Sequence, residues 1–253
     1  MRPRALFLAS AVPLLLGASK PVLVPDVSAR QIEIRYSFTG AQLLLFGAIL
    51  YPGGRMPANQ ADVAIVVKGP VQPIVVREKH KIAGIWMNAD SHRFRSAPSF
   101  YAIASSQPVE KLVGDRTAAI YELGLDSLQL SPGGGALPDK ERRFEAGLLD
   151  LRKRQGLYRE NPRGVEISQG VLYRARIDIP SQVPVGTYTA ETFLIDNHRV
   201  VAAATREIEI GKSGFERYVA LAARRHAFVY GLAAMIMSLG LGYAAGWAFS
   251  RRP

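Results

Sequence analysis

The segment Ala227–Phe249, AFVYGLAAMIMSLGLGYAAGWAF, carries no charged side chain. As a helix at about 1.5 Å per residue it is roughly 35 Å long, enough to cross a ~30 Å hydrocarbon core with some tilt. In lipid every backbone N–H and C=O must be satisfied internally, and a lone span does that only as a helix. Phe228 and Tyr230 stand near one end and Tyr243, Trp247 and Phe249 near the other, as in an interfacial aromatic belt. Soluble core helices seldom run this far without a charge. The chain before Ala227 is therefore read as a domain held at a membrane, with 227–249 as its transmembrane helix and 250–253 as a short tail.

Residues 1–19 have the pattern of a secretory signal. Arg2 and Arg4 precede an apolar run from Ala5 to Leu16, and the small residues Gly17, Ala18 and Ser19 follow. The run is too short to span a bilayer, and Pro13 interrupts it. A signal ahead of a late span puts the domain outside and Arg251-Arg252-Pro253 in the cytoplasm. Arg217, Arg224 and Arg225 lie on the outer flank, so the charge count alone argues weakly here. The chain has no cysteine, which removes disulfides, thiolate catalysis and cysteine metal sites. A domain of about 200 residues can rely on its core instead.

Residues 20–211 are expected to form mainly β structure. Gln31–Tyr36 alternates apolar and polar, the period of a half-buried strand. Ala41–Leu50 is more continuously apolar, as a central strand would be. Ala61–Lys68, Gln72–Lys79 and Ile82–Met87 are expected as further strands, with turns at Tyr51-Pro52-Gly53-Gly54 and Lys68-Gly69-Pro70. Tyr173, Ala175, Ile177 and Ile179 alternate with polar partners, and Thr187–Ile195 and Arg199–Ile210 read as a hairpin. Between the strand-rich stretches, 106–160 reads as a helical insertion: short helices around Val109–Val113 and Ile120–Leu123, then an amphipathic helix over Asp139–Gln155. In that helix Phe144, Leu148 and Leu151 share a face, and Pro138 and Gly156 mark the ends. The lead-in Pro184-Val185-Gly186-Thr187-Tyr188 is similar to one in many extracellular domains. The expected fold is thus an immunoglobulin-like β-sandwich with a helical insertion and one carboxyl-terminal transmembrane helix. Ser213–Glu216 is a capping box, predicting a juxtamembrane helix over 212–226 that runs into the span.

No catalytic, metal or cofactor site stands out. The four histidines, His80, His92, His198 and His226, lack metal-ligand spacing. Asp90-Ser91-His92 reads as a solvated turn after a strand rather than a ligand set. No G-x-S-x-G elbow occurs, and Gly133-Gly134-Gly135 lacks the Lys-Ser/Thr of a phosphate loop. A Ser-His-Asp triad needs no adjacency, so a hydrolase stays open as a minor alternative. Trp86, Asn88, Phe100 and Tyr101 are the candidate partner surface, since Trp and Tyr are favoured anchors. The alternative for Trp86 and Tyr101 is packing between sheets. The net charge of +11 invites a nucleic-acid reading, but export argues against nucleic acid and for anionic lipid headgroups, with Arg142, Arg143, Arg152, Lys153 and Arg154 as the basic helix face. Along the span, Ala234, Ser238, Gly242 and Gly246 recur every four residues as a ridge of small side chains, a packing surface for a partner helix in a homodimer or a permease.

Gly84-Ile85-Trp86-Met87-Asn88, Pro98–Ser105 and the tail from Phe215-Glu216-Arg217 through Tyr230-Gly231 to Gly246-Trp247 resemble the alphaproteobacterial putative transmembrane protein family. The resemblance covers most of the chain after the signal. It implies an inner-membrane protein with a periplasmic domain, and a neighbouring permease similar to sulfite exporters as the partner. It carries no catalytic residue to transfer. The expected role is an accessory or assembly partner of another membrane protein, not an enzyme; the alternative is a periplasmic ligand-binding or sensing module.

Overall fold

The computed structural model describes residues 21–34, 40–54, 60–134, 137–212, 219 and 223–250. The signal at 1–19, the end of the first expected strand at Arg35-Tyr36, the capping box at Ser213–Glu216 and the tail at 251–253 lie outside the described residues. Of the juxtamembrane helix expected over 212–226, Val219 and residues 223–225 are helical, whereas Lys212 ends a strand and His226 is a bend.

The strands in chain order are β1 (Val22–Val27), β2 (Gln31–Ile34), β3 (Gly40–Leu50), β4 (Asp62–Lys68), β5 (Val71–Ile82), β6 (Ile85–Pro98) and β7 (Tyr101–Ser105). Two short helices follow, α1 (Val109–Leu112) and α2 (Asp115–Tyr121), then β8 (Ser131–Pro132) and the long helix α3 (Pro138–Arg154). The chain returns to strands with β9 (Tyr158–Pro162), β10 (Val165–Ser168), β11 (Leu172–Pro180), β12 (Gly186–Asp196) and β13 (Arg199–Lys212), and ends in helix α4 (Ala227–Ser250).

Two sheets enclose the core. One has the order β1-β3-β11-β10 and is antiparallel throughout. The other runs β2-β13-β12-β4-β7-β9, antiparallel at its centre but parallel where β2 joins β13 and β9 joins β7. The first sheet turns Leu43, Leu45, Ile49, Tyr173, Ala175, Ile177 and Ile179 inward. The expected alternation along β11 is therefore real: every second residue is buried. In β4 the whole run Val63–Val67 is buried. Both faces of a central strand are covered there, which is why its sequence is continuously apolar rather than alternating. On its outer side the insertion brings Tyr121 against Phe193 of β12, with ring centroids 5.4 Å apart.

Local sequence sets the connections. The β12–β13 turn is Asn197-His198, both at positive φ, as the two-residue hairpin turn matching strand twist requires. Helix α3 begins with Pro138 in its first turn, has Asp139 and Glu141 near the positive end of its dipole and ends on basic residues. Its end is closed by Gly156 N–H to the Lys153 carbonyl and Leu157 N–H to the Arg152 carbonyl, with Gly156 at φ +68°.

Two expectations about elements fail. Residues 158–160, expected at the end of the helical insertion, begin strand β9 of the second sheet. Ile82–Met87 is not a separate strand. A third small sheet, β5-β6-β8, holds a long hairpin whose turn is Ala83-Gly84, and Ile82 pairs with Ile85 across it. The polar run Lys79-His80-Lys81 resembles a break between strands, but in an arm solvated on both faces polar residues end nothing.

Candidate functional site

The β5–β6 hairpin is the feature that stands apart from the core. Its root is fixed from several directions. Ser99 N–H donates to the Pro70 carbonyl at 3.0 Å and Gly69 N–H to the Phe100 carbonyl at 2.8 Å. The Tyr158 hydroxyl donates to the Pro98 carbonyl at 2.7 Å. Burial pushes that phenol up to about 12, so it stays a donor at any physiological pH. A Cβ on Gly69 would lie 2.6 Å from Ser99 Oγ and 2.9 Å from the Tyr188 ring, so only glycine fits this crossing.

Helix α3 covers one face of the hairpin's lower half. Phe144 and Leu148 are buried, and Phe144 sits 5.8 Å from the His92 ring, which also meets Phe94 edge-on at 5.0 Å. Around this contact lies a charge cluster. Lys140 donates to Asp90, and Arg143 reaches Glu78 at 3.1 Å and Asp90 at 3.3 Å. The hydrogen bond from Lys140 leads in holding the Asp90 carboxyl below the ordinary carboxylate range. Much of the basic face expected to meet lipid is thus engaged within the protein: Arg142 pairs with Asp139 and Arg154 with Asp150.

Beyond Lys79 both faces of the hairpin are open. By register, Lys79 opposes Asn88 and Lys81 opposes Trp86 on one face, while His80 opposes Met87 and Ile82 opposes Ile85 on the other. Trp86 is 66% exposed, Ile85 67%, Met87 51% and Ile82 50%.

The four residues expected to share a partner surface are split by this geometry. Trp86 and Asn88 are exposed near the tip. Phe100 and Tyr101 are fully buried at the root. The Tyr101 hydroxyl donates to the Glu122 carbonyl at 2.7 Å and accepts from Gly124 N–H at 2.9 Å, which ties β7 to the insertion. Trp86 and Pro98 are twelve residues apart on one strand, about 40 Å at ~3.3 Å per residue, so they cannot form one face. Asp90-Ser91-His92 is likewise corrected: it lies in the middle of β6, not in a turn, with His92 buried among aromatic rings. Among the described residues no group of three or more His, Asp or Glu is placed to hold a metal ion.

Two further surfaces matter. A half-buried triad joins the insertion to the second sheet: Lys68 on β4 lies 2.5 Å from Glu122 and 3.3 Å from Glu191. Burial works to lower the Lys68 ammonium, but the two carboxylates outweigh it and the net shift is upward. The outer face of the first sheet is open, and its end at Val22 and Leu50 is apolar, while Asp26, Arg174, Arg176 and Asp178 make the rest of it charged. Val22 opposes Leu50, and Val24, Ala48 and Leu172 align in the next row, with Phe46 beyond. Exposures of 40–56% for Val22, Val24, Phe46, Leu50 and Leu172 make a contiguous patch that sequence reading passed over. The signal was there: AQLLLFGAIL is apolar at both parities, and only one parity faces the core. The cavity beneath α1 and α2, lined by Ile103, Val109, Val113, Leu123 and Glu160, is about 220 Å³, smaller than the several hundred Å³ usual for ligand sites.

Helix α4 is apolar on every side, and within it Ala227–Trp247 is long and apolar enough to cross a membrane, with none of its length buried against the domain. A family described as "Putative transmembrane protein (Alph_Pro_TM)" matches residues 22–251. The chain belongs to this family. No curated protein and no solved structure matches it. As a family member with one candidate span among the described residues, the protein is membrane-associated, and the match includes both the β domain and α4. On α4 the residues Ala234, Ser238, Gly242 and Gly246 are all exposed, and a Cβ on Gly242 or Gly246 would meet nothing within 4 Å.

Proposed function

We propose that this chain is a single-span inner-membrane protein whose β domain lies on the periplasmic side and serves as an accessory or assembly partner of another membrane protein. It has no catalytic role in this reading. The observation that carries the partner role is the open apolar end of the first sheet's outer face, where Val22, Val24, Leu50 and Leu172 are exposed in adjacent rows and Phe46 borders the charged remainder. Soluble domains seldom leave such a face to water, and large exposed patches mark interaction surfaces. The ridge on α4 offers a second contact within the bilayer, where small residues let helix backbones approach. The sandwich itself is read as immunoglobulin-like. Supporting this, the Tyr188 hydroxyl donates to the Pro184 carbonyl four residues upstream at 2.7 Å, as in the tyrosine corner of such domains. This hydrogen bond lies within the Pro184–Tyr188 lead-in, the stretch similar to one in many extracellular domains, and so supports the same reading.

The test is cross-linking in native membranes, then purification of the full chain in mild detergent. Gly242→Leu with Gly246→Leu fills the ridge, and Phe46→Glu charges the sheet face. Each change is expected to reduce the cross-linked complex at least about tenfold, equal to ~1.4 kcal/mol. Leu239→Ala, off the ridge, is the control. If neither change alters any recovered complex, the partner role is wrong.

A further inference from the structure

We propose that the tip of the β5–β6 hairpin is a lipid-binding finger that places Trp86, Ile82, Ile85 and Met87 at the headgroup–acyl boundary of an anionic bilayer. This rests on the single-span reading of α4 and not on the partner role. Three observations carry it.

The first is chemistry. The tip exposes two isoleucines, a tryptophan and a methionine around a two-residue turn, and Lys79 and Lys81 flank them. Tryptophan favours the membrane interface, where its ring is half in hydrocarbon and its N–H meets water. By register Lys79 lies one row above Met87 and meets anionic headgroups directly, while Lys81, level with Trp86, carries its ammonium up to them on its flexible stem. The hairpin's acidic residues, Glu78 and Asp90, are withdrawn from this field, because Arg143 and Lys140 of α3 already engage them.

The second is placement. The hairpin leaves the domain at the end from which the chain departs for α4. Pro70, just before β5, lies 3.0 Å from where a Cβ on Gly186 would sit, and Gly186 is the register partner of Ile210 near the end of β13. The root of the finger and the last strand therefore occupy one end of the second sheet.

The third is reach. The fourteen residues between Lys212 and Ala227 span at most about 50 Å. The twelve residues of β5 extend roughly 40 Å at ~3.4 Å each. Tethered this closely, the tip meets the bilayer surface at high effective concentration, so shallow insertion suffices to hold it. A second copy of the chain is the competing occupant of the same apolar tip.

The experiment uses the full-length chain with Trp247→Phe, which leaves Trp86 as the only tryptophan. The chain is reconstituted into phosphatidylcholine vesicles with and without phosphatidylglycerol, and insertion of α4 is checked by carbonate extraction. With phosphatidylglycerol present, Trp86 emission is expected to shift to shorter wavelength and to be quenched by acyl-brominated lipid, with protection from acrylamide. Lys79→Gln with Lys81→Gln should lower the ratio of inserted to free tip about thirtyfold, from ~1 kcal/mol per cation near an anionic surface. Solvent-like emission without bromolipid quenching in both vesicle types overturns the proposal. A shift without bromolipid quenching also overturns it, in favour of a second copy. Either failure, with the cross-linked complex above intact, leaves the partner role standing.

Discussion

Helix α3 decides whether the hairpin is a rigid arm or a loose one, and its apolar stripe is graded. Phe144 is 3% exposed, Leu148 is fully buried and Leu151 is 46% exposed, although all three fall on one sequence face. Leu148→Ala removes a packed side chain and leaves a cavity, a change that costs about 2–5 kcal/mol. Phe144→Ala costs about 3–5 kcal/mol on the same basis, and it also removes the ring under Lys140 and Arg143, whose charges sit 5.7 and 5.5 Å from its centroid. Leu151→Ala opens no enclosed space and loses about half a side chain's transfer energy, roughly 1 kcal/mol. Because Phe144 and Leu148 are neighbours, the double change should cost less than their sum. Urea pulse proteolysis of the full chain in detergent reads these differences. Hydrogen exchange should place the loosening in α3 and in residues 72–78 and 90–96 before the two sheets. If Leu151→Ala destabilises as much as Leu148→Ala, α3 packs by a different face and the account of the hairpin's support is wrong.

Much of the fold was legible because one-sided burial writes a period into sequence. Tyr173, Ala175, Ile177 and Ile179 alternate because β11 has one face on the core. Phe144 and Leu148 repeat at helical spacing because one face of α3 is buried. The hairpin of Thr187–Ile195 with Arg199–Ile210 is legible because two strand patterns stand a few residues apart, and its turn at Asn197-His198 takes positive φ twice. Where no face is buried, nothing is written: the distal hairpin, with Lys79, His80 and Lys81 solvated, looked like an interruption. The parallel pairing of β7 with β9 joins Tyr101 to Tyr158 across α1, α2, β8 and α3, and no local pattern encodes a partner that far away. The candidate site was legible only in part. Trp86 and Asn88 are exposed as a partner surface requires, but Phe100 and Tyr101 pack at the root, because a strand carries sequence neighbours apart at ~3.3 Å per residue. The open outer sheet face was missed because continuous apolarity in Ala41–Leu50 has two explanations, two covered faces or one covered and one awaiting a partner.

Two further outcomes are expected. A reporter active only in the cytoplasm should work when fused after Pro253 and fail when fused near Lys212; activity at Lys212 would reverse the proposed orientation. The docking of α3 on the hairpin should weaken in acid, and Asp90 is the group responsible. Its carboxyl faces Lys140 and Arg143 from α3, with Glu78 opposite on β5 and His92 two residues on along β6. Its folded-state value is depressed, first by the Lys140 hydrogen bond, against the ordinary 3.8. A depressed carboxyl stabilises the fold above its unfolded value and loses that contribution as pH falls through the folded one. Protection of residues 77–91 against hydrogen exchange should therefore hold from neutral pH down to about pH 4 and decline below it. Asp90→Asn should show weaker protection at neutral pH and a flatter profile in acid, because the charge that titrates is gone. Parallel profiles for the two proteins would mean that Asp90 does not govern the acid response, and that Lys140 does not hold it as the geometry indicates.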